Sequence, residues 1–396
     1  MCSSVSAVKR SNKNFRLIRN CIFLSGLSVF AQLYLFQPML SELCRDFDIS
    51  PAMSSLSVSA STMGIAIGLF IFAFKADSLS RTWLMGMALV VSSLLTVLSA
   101  FAWNFSALVG FGLLKGMVLS GVSAVALAYL SEEIDASVIG LAISLYLSGN
   151  TIGGMSGRVA GTLLSETYGW RGAAIIIGTV CLLLAIVFIK KIPLSKNFHP
   201  VHADIKNKLR QMGLFLRTPL FLGLYIIAGL VMGAFVSVYN YLSFILESPR
   251  FGLPHYVVAM IYVMYTVGVA GSVLTGKWSD RYGPVVLLRG AVILMIVGIA
   301  MMLVMQLWAI VLGLGIMTFA FFSVHTMASR IVAINARHDK SSATCIYWLF
   351  YYMGSSFIGS LTGIVLTGVG WNAFIGCILV LVAIAFSISV LSVRRM

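Results

Sequence analysis

Residues 190–217 read KKIPLSKNFHPVHADIKNKLRQMGLFLR, the only long polar interval in a chain that is otherwise almost continuously apolar. Lys190, Lys191, Lys196, Lys206, Lys208, Arg210 and Arg217 stand there against one acid, Asp204. The chain before this interval and the chain after it have nearly equal length, and they resemble each other. The expected organisation is a first bundle with a basic tail over 1–189, a basic linker over 190–217 and a second bundle over 218–396.

Of the 396 residues, 60% are hydrophobic and 10% are charged. A soluble domain carries about 25% charged residues, so this chain falls outside that class. A helix that crosses a bilayer needs roughly 20 consecutive apolar residues. Twelve stretches meet that requirement, near 20–40, 51–74, 83–102, 105–130, 138–164, 173–189, 219–246, 255–276, 285–305, 308–329, 341–366 and 372–393. Segments of about ten residues with alternating hydrophobicity, as in a membrane barrel, are absent. The expected fold class is an all-α membrane protein, twelve transmembrane helices in two pseudo-symmetric six-helix bundles.

The net charge of +15 invites a nucleic-acid reading, but the placement of the charge opposes it. With the N-terminus inside, 22 of the 27 Lys and Arg fall in inside segments, three (Arg45, Arg171, Arg250) outside, and Lys115 and Arg158 within spans. Cationic short loops mark the cytoplasmic side, so both termini and the linker are expected there. The first apolar run is too long for a signal peptide, and no small-residue cleavage site follows it. The six cysteines show no metal-ligand spacing, and only Cys44 falls in an external loop, so no disulfide framework is expected.

The halves repeat. AFKADSLSR at 73–81 matches GKWSDRYGP at 276–284, and SGNTIGGMSG at 148–157 matches MGSSFIGSLT at 353–362. Internal repeats with a substrate site between them are a recurring plan of secondary transporters. At this point the residues carry a family resemblance. GKWSDRYG at 276–283 resembles the G-x-x-x-D-R-x-G signature of the major facilitator superfamily. LYLFQPML (33–40), GVSAVALAYLSEEI (121–134), SGNTIGGMSGR (148–158), VSVYNYLSF (236–244) and YYMGSSFIGS (351–360) resemble the YnfM-type bacterial inner-membrane efflux subgroup. The resemblance implies two six-helix bundles that rock about a central cavity, with transport by alternating access. Two departures stand out. Ala73, Ser78 and Ser80 replace the Gly, Arg and Gly of the first-half signature. Where the family places a span 4 Arg commonly linked to proton coupling, this chain has Gly112, and the charge is Lys115 instead.

The candidate gating residues are Asp77 and Arg81 in the first half and Gly276, Asp280, Arg281 and Gly283 in the second. Each carboxylate can accept hydrogen bonds at a helix start in one conformer and lose them in the other. Gly149, Gly153, Gly157 and Gly161 fall on one helical face and are expected where the two bundles meet and slide.

The candidate cavity residues are Gln32, Tyr34 and Gln37 on span 1, Lys115 on span 4, and Tyr146, Asn150 and Arg158 on span 5. Tyr239 and Asn240 follow on span 7, and Tyr347, Trp348 and Tyr351 on span 11. Lys115 lies roughly 13–15 Å into its helix, where a cation is costly and faces the protein interior or a water-filled cavity. Arg158, about 30 Å along span 5, can instead snorkel or pair with an outer carboxylate. His325 is expected about one turn inside the inner end of span 10, where it can titrate or be purely structural. The segment 203–217 is expected on the inner membrane surface.

No phosphate loop, nucleophile elbow or HExxH motif occurs, which opposes ATP-driven transport and enzyme activity. No cofactor or metal is expected. The expected partners are a small-molecule substrate, the lipid bilayer and protons as candidate coupling ion, and the protein is expected to be a monomer. The resulting expectation is a secondary active transporter of the bacterial inner membrane, a proton-linked efflux antiporter by resemblance. The charge reading points to another substrate class, an anion or zwitterion moved by exchange or uniport. Because no span carries a midplane acid, the candidate proton carriers for the proton-linked reading are Glu42, Asp46 and Asp48 near the outer end of span 1, and His325. A sensor of the same fold that binds without flux is the remaining alternative.

Overall fold

In the computed structural model, the described residues are 13–135, 138–195, 197–198, 205–336 and 339–393, with backbone alone at Lys13 and Asp77. The helices are α1 (Lys13–Leu33), α2 (Leu40–Phe47), α3 (Pro51–Ser54), α4 (Leu56–Lys75) and α5 (Arg81–Ser99). Next come α6 (Phe105–Glu133), α7 (Ile139–Lys191), α8 (Ile205–Arg217), α9 (Pro219–Leu246) and α10 (His255–Ala259). The last five are α11 (Tyr265–Tyr282), α12 (Pro284–Met301), α13 (Leu307–Asn335), α14 (Lys340–Val369) and α15 (Trp371–Leu391).

Eleven helical segments among the described residues are long and apolar enough to cross a membrane. The longest, α7, has 53 residues and a non-helical residue inside it, Gly169, at φ 67° and ψ 170°. Only glycine adopts such a backbone at low cost, and the kink makes α7 two spans. The twelve expected spans are thereby accounted for. Local chemistry sets several other ends. Asn104 Oδ1 accepts from Ala107 N at 2.8 Å to cap α6, and Asp339 Oδ1 accepts from Ser342 N at 3.1 Å to cap α14. Pro219 and Pro284 open α9 and α12, where a missing N–H costs nothing.

Span 1 departs from the expected continuous helix. α1 ends at Leu33, residues 34–36 form a turn, and Gln37–Met39 is a 3-10 turn that leads into α2. Pro38 contributes to the break, because it lacks an N–H and its ring would clash with the carbonyl of Tyr34 in a continuous helix. Tyr34 and Gln37, expected on the helix, therefore sit at its break.

The chain forms two compact units, one of residues 1–36 and 63–205, the other of residues 37–62 and 206–396. The break at Phe36 is one boundary between them, a second falls within α4, and the third lies at the start of α8.

In the first unit, α7 lies directly on α1. A Cβ on Gly153 would come within 2.6 Å of Leu27 Cα, and one on Gly157 within 2.5 Å of Ala31 Cα. The glycine stripe was expected between the bundles, and this placement corrects that expectation. The stripe seats span 5 on span 1 inside one unit, because backbone contact is possible only where neither helix presents a side chain. The start of the linker is tied to the same unit. Tyr129 Oη donates to Pro193 O at 2.6 Å, and Glu133 Oε1 accepts from Asn197 N at 2.8 Å.

In the second unit, α14 packs on α9 in the equivalent way. A Cβ on Gly354 would come within 2.6 Å of Gly229 Cα. Residues 37–62 pack here as well. Gln37 Nε2 donates to Asn240 Oδ1 at 2.7 Å, and Tyr241 Oη donates to Ser55 Oγ at 3.0 Å. The hydroxyls of Ser59 and Ser360 lie 2.6 Å apart, and those of Thr62 and Ser356 lie 2.7 Å apart. α8 carries Lys206, Lys208, Arg210 and Arg217 and leaves Ile205, Leu209, Leu214 and Leu216 exposed. The tail residues 1–12, Lys196 and residues 199–204 lie outside the described residues, as does the Asp77 side chain.

Candidate functional site

The candidate residues fall into separate groups, three in the first unit and three in the second.

In the first unit, Lys115 and Gln32 meet. Lys115 is 1% exposed, and its Nζ donates to Gln32 O at 2.9 Å and lies 5.1 Å from the centre of the Phe36 ring. The break after Leu33 is what brings Phe36 over the ammonium. Gln32 is held in turn. Its Nε2 donates to Ser28 Oγ at 3.0 Å, and its Oε1 accepts from Thr96 Oγ1 at 2.9 Å. No carboxylate lies within ion-pair distance of Lys115 among the described residues. An ammonium has three donors, and one carbonyl and one ring face serve it here.

Arg158 and Tyr34 form the second group. The guanidinium stacks 4.2 Å from the centre of the Tyr34 ring and donates from Nη1 to Gly154 O at 2.6 Å. Arg158 is 2% exposed, so it does not snorkel, and α7 continues to the Gly169 kink, well beyond it. Tyr146 and Asn150 lie one turn apart on α7. Asn150 Oδ1 is buried without a hydrogen-bond partner among the described residues, against Gly26 of α1.

In the second unit, Gln37 and Asn240 pair as described, and Asn240 Nδ2 also donates to Gly359 O at 3.2 Å. Tyr239 is fully buried among Phe235, Tyr262 and Tyr265, with its hydroxyl 2.9 Å from Thr318 Oγ1.

The third group joins α13 to α14. His325 Nδ1 lies 2.8 Å from Tyr347 Oη. The imidazole centroid is 5.2 Å from Trp348, 4.9 Å from Tyr351 and 6.4 Å from Phe321. The sequence places His325 about one turn from the end of its span, but α13 runs on to Asn335. Ten residues of helix, ~15 Å, separate it from that end, so it stands well inside the helix. Sequence reasoning offers His325 as a candidate proton carrier or a structural residue and leaves it out of the cavity. Its signal was the helical period of the apolar residues that continues past 329.

At the linker-side ends, Arg81 donates to Glu132 Oε1 at 2.9 Å and to Ala76 O at 2.6 Å, with its guanidinium 4.8 Å from the Phe198 ring centre. Asp280 pairs with Arg330 of α13 at 2.5 Å rather than with a helix start, and Arg330 also donates to Ser279 Oγ. Arg281 lies over Tyr282, Gly276 has open space beside it, and Gly283 turns the chain from α11 into α12 at φ 80°. Asp46 and Asp48 are exposed around the end of α2, and Glu42 is half-buried in its first turn.

This arrangement has membrane-length helices, a repeated pair of close helix contacts and buried polar groups at mid-depth. Comparison with known proteins agrees with it. The family model of the Major Facilitator Superfamily matches residues 22–359. The inner membrane transport protein YnfM of Escherichia coli is 34% identical over 94% of this chain and 90% of its own length. An uncharacterized MFS-type transporter of Bacillus subtilis, YybF, is 33% identical over 96% of this chain and 95% of its own. In fold, the chain is similar to a bacterial homologue of the human lysosomal transporter Spinster, solved inward-facing and occupied. The TM-score is 0.80 at 16% identity, over 98% of both chains. The chain therefore belongs to the Major Facilitator Superfamily and is a multi-pass membrane transporter rather than an enzyme.

Proposed function

We propose that this protein exports a small molecule across the bacterial inner membrane by alternating access, in exchange for protons, with both termini and the linker in the cytoplasm. The observation that carries the reading is the attachment of residues 37–62 to the second unit. These residues continue the first bundle's chain, yet side-chain hydrogen bonds of Gln37, Ser55, Ser59 and Thr62 join them to α9 and α14. Neutral hydrogen bonds contribute about 1 kcal/mol each, so such a set can form and break in a transport cycle without the cost of separating buried ions. The bias of basic residues supports the orientation.

The test is a proton-flux screen in inside-out membrane vesicles that contain the protein. Vesicles are energised, and small molecules are added while internal acidity is followed. The expected result is a compound that dissipates the proton gradient only when the protein is present. Compound flux without proton movement would leave a uniporter or exchanger. Binding without flux in either direction would leave a sensor.

Lys115 favours a second reading, exchange or uniport of organic anions. A buried cation with no carboxylate in ion-pair distance among the described residues is a ready partner for a carboxylate that arrives with the substrate.

A further inference from the structure

We infer that His325, Trp348 and Tyr351 form a subsite for an aromatic ring of the transported molecule. This deepens the transport reading and rests on it for the word transported. The subsite lies wholly within the second unit.

The argument starts from the faces of α14. Met353, Phe357, Leu361 and Ile364 recur at helical spacing and are 36% to 59% exposed, a continuous apolar stripe of the kind that meets lipid. Nine residues at about 100° each put Trp348 on the side opposite Phe357. That opposite side carries Ser341, Thr344, Trp348, Tyr351 and Ser355, again at spacings of three and four. Its exposure changes along the helix. Ser341 and Thr344 are exposed, Trp348 and Tyr351 are half-buried, and Ser355 is fully buried. The non-lipid face of α14 is therefore open from the linker-side end down to Trp348 and Tyr351, and closed beyond them. Trp348 stands ~12 Å and Tyr351 ~16 Å from the start of the helix, a depth where aromatic residues do not serve as an interfacial belt.

At the bottom of this open face, three rings meet in a corner. Trp348 and Tyr351 have centroids 5.1 Å apart at an interplanar angle of 76°. His325 stands 5.2 Å from the first and 4.9 Å from the second, at 58° and 46°. Rings set at such angles present both faces and edges to the space between them. A flat guest can then stack on one wall and meet the edge of another, the two arrangements that aromatic pairs prefer. The floor is firm, because Tyr347 and Phe321 behind the corner are buried. The imidazole is also oriented. Its Nδ1 is bonded to Tyr347 Oη, which leaves Nε2 without a partner among the described residues. A purely structural cluster would bury these three rings as it buries Tyr347. Instead the rings at the open end of the cluster keep surface exposed on the side away from lipid.

The test uses ligands that differ only in the ring. Phenylacetate and cyclohexylacetate, benzylamine and cyclohexylmethylamine, and benzyl alcohol and cyclohexylmethanol are titrated against the purified full-length protein. Affinity is read from ligand-dependent thermal stabilisation. Edge and face contacts favour the aromatic member by roughly three- to tenfold, with at least one of the three headgroups. Trp348→Leu is expected to abolish the preference and Trp348→Phe to retain it, with the unliganded midpoint of both variants confirming the fold. Equal behaviour of the two rings with every headgroup, including no stabilisation at all, overturns the inference. So does a preference that survives Trp348→Leu in a folded protein. If the ring preference holds but the vesicle screen finds no flux, the transport reading fails and the subsite stands. The reverse result removes the subsite alone.

Discussion

Gln37 and Asn240 are hydrogen-bonded amides, 2.7 Å apart and 203 residues apart in the chain. The same separation relates the repeated turns at Asp77 and Asp280, so the two amides occupy equivalent positions of the two halves. Both are fully buried. The duplicated sequence thus places one amide at each copy of a single site, and the fold brings the copies together.

The amide pair sets the first prediction. Gln37→Leu leaves Asn240 with a buried carbonyl oxygen that has lost its donor, a loss that costs about 1–3 kcal/mol. Asn240→Leu removes the acceptor of the Gln37 Nε2 donor and also takes the Nδ2 donor away from Gly359 O. The expected outcome is a lower thermal midpoint for each single variant and a double variant less destabilised than the sum. Additive midpoint shifts would show that the two amides do not act as a pair.

Lys115 sets the second. Its ammonium has one carbonyl hydrogen bond, worth about 1.5–3 kcal/mol for a charged donor. The effective penalty for taking an ion out of water is several kcal/mol. The penalty outweighs the hydrogen bond, so Lys115→Met, which keeps the volume, is expected not to lower the thermal midpoint. Under the anion reading the same variant loses stabilisation by organic anions. A drop of several degrees for Lys115→Met would mean that the cation has a structural partner.

A third prediction contrasts two glycines. Gly153→Ala puts a Cβ into the backbone of Leu27, which a helix cannot move aside without parting α1 from α7. Overpacking of this kind costs about 1–3 kcal/mol or more. Gly376 on α15 has nothing within 4 Å, so Gly376→Ala is expected to be neutral or to stabilise by up to about 1 kcal/mol. Denaturation midpoints in detergent decide both. Equal effects would contradict the close approach of α1 and α7.

The Asp280–Arg330 pair gives the fourth. The Asp280 side chain is 75% exposed and that of Arg330 37%, so the pair contributes only about 0–1 kcal/mol to stability. Asp280→Asn is expected to leave the midpoint nearly unchanged and to alter the labelling rates of single cysteines placed at the two ends of α13. Unchanged labelling at both ends would reduce Asp280 to a surface acid.

The sequence alone determined the class of molecule, the number of spans, the repeat and the family resemblance. These rest on properties that travel with a short window of chain: the length of an apolar run, the charge of a loop, the spacing of a motif. Residues 276–283 and the polar interval at 190–217 carry their meaning without any neighbour in space. The tertiary structure decided which buried groups meet. Pro38 is visible in the sequence, but that the break before it lays Phe36 over Lys115 while Gln37 reaches Asn240 depends on where α6 and α9 lie. The glycine stripe was legible as a face, and only the packing identified α1 as the helix it meets. His325 was legible as a lone histidine. It became part of a site because α13 continues to Asn335 and turns its imidazole toward Tyr347, Trp348 and Tyr351 of the next helix. Helix formation in a bilayer follows from local composition, since each helix satisfies its own backbone. Partner choice among those helices follows from side chains far apart in the chain, and it is settled only when all the helices have packed.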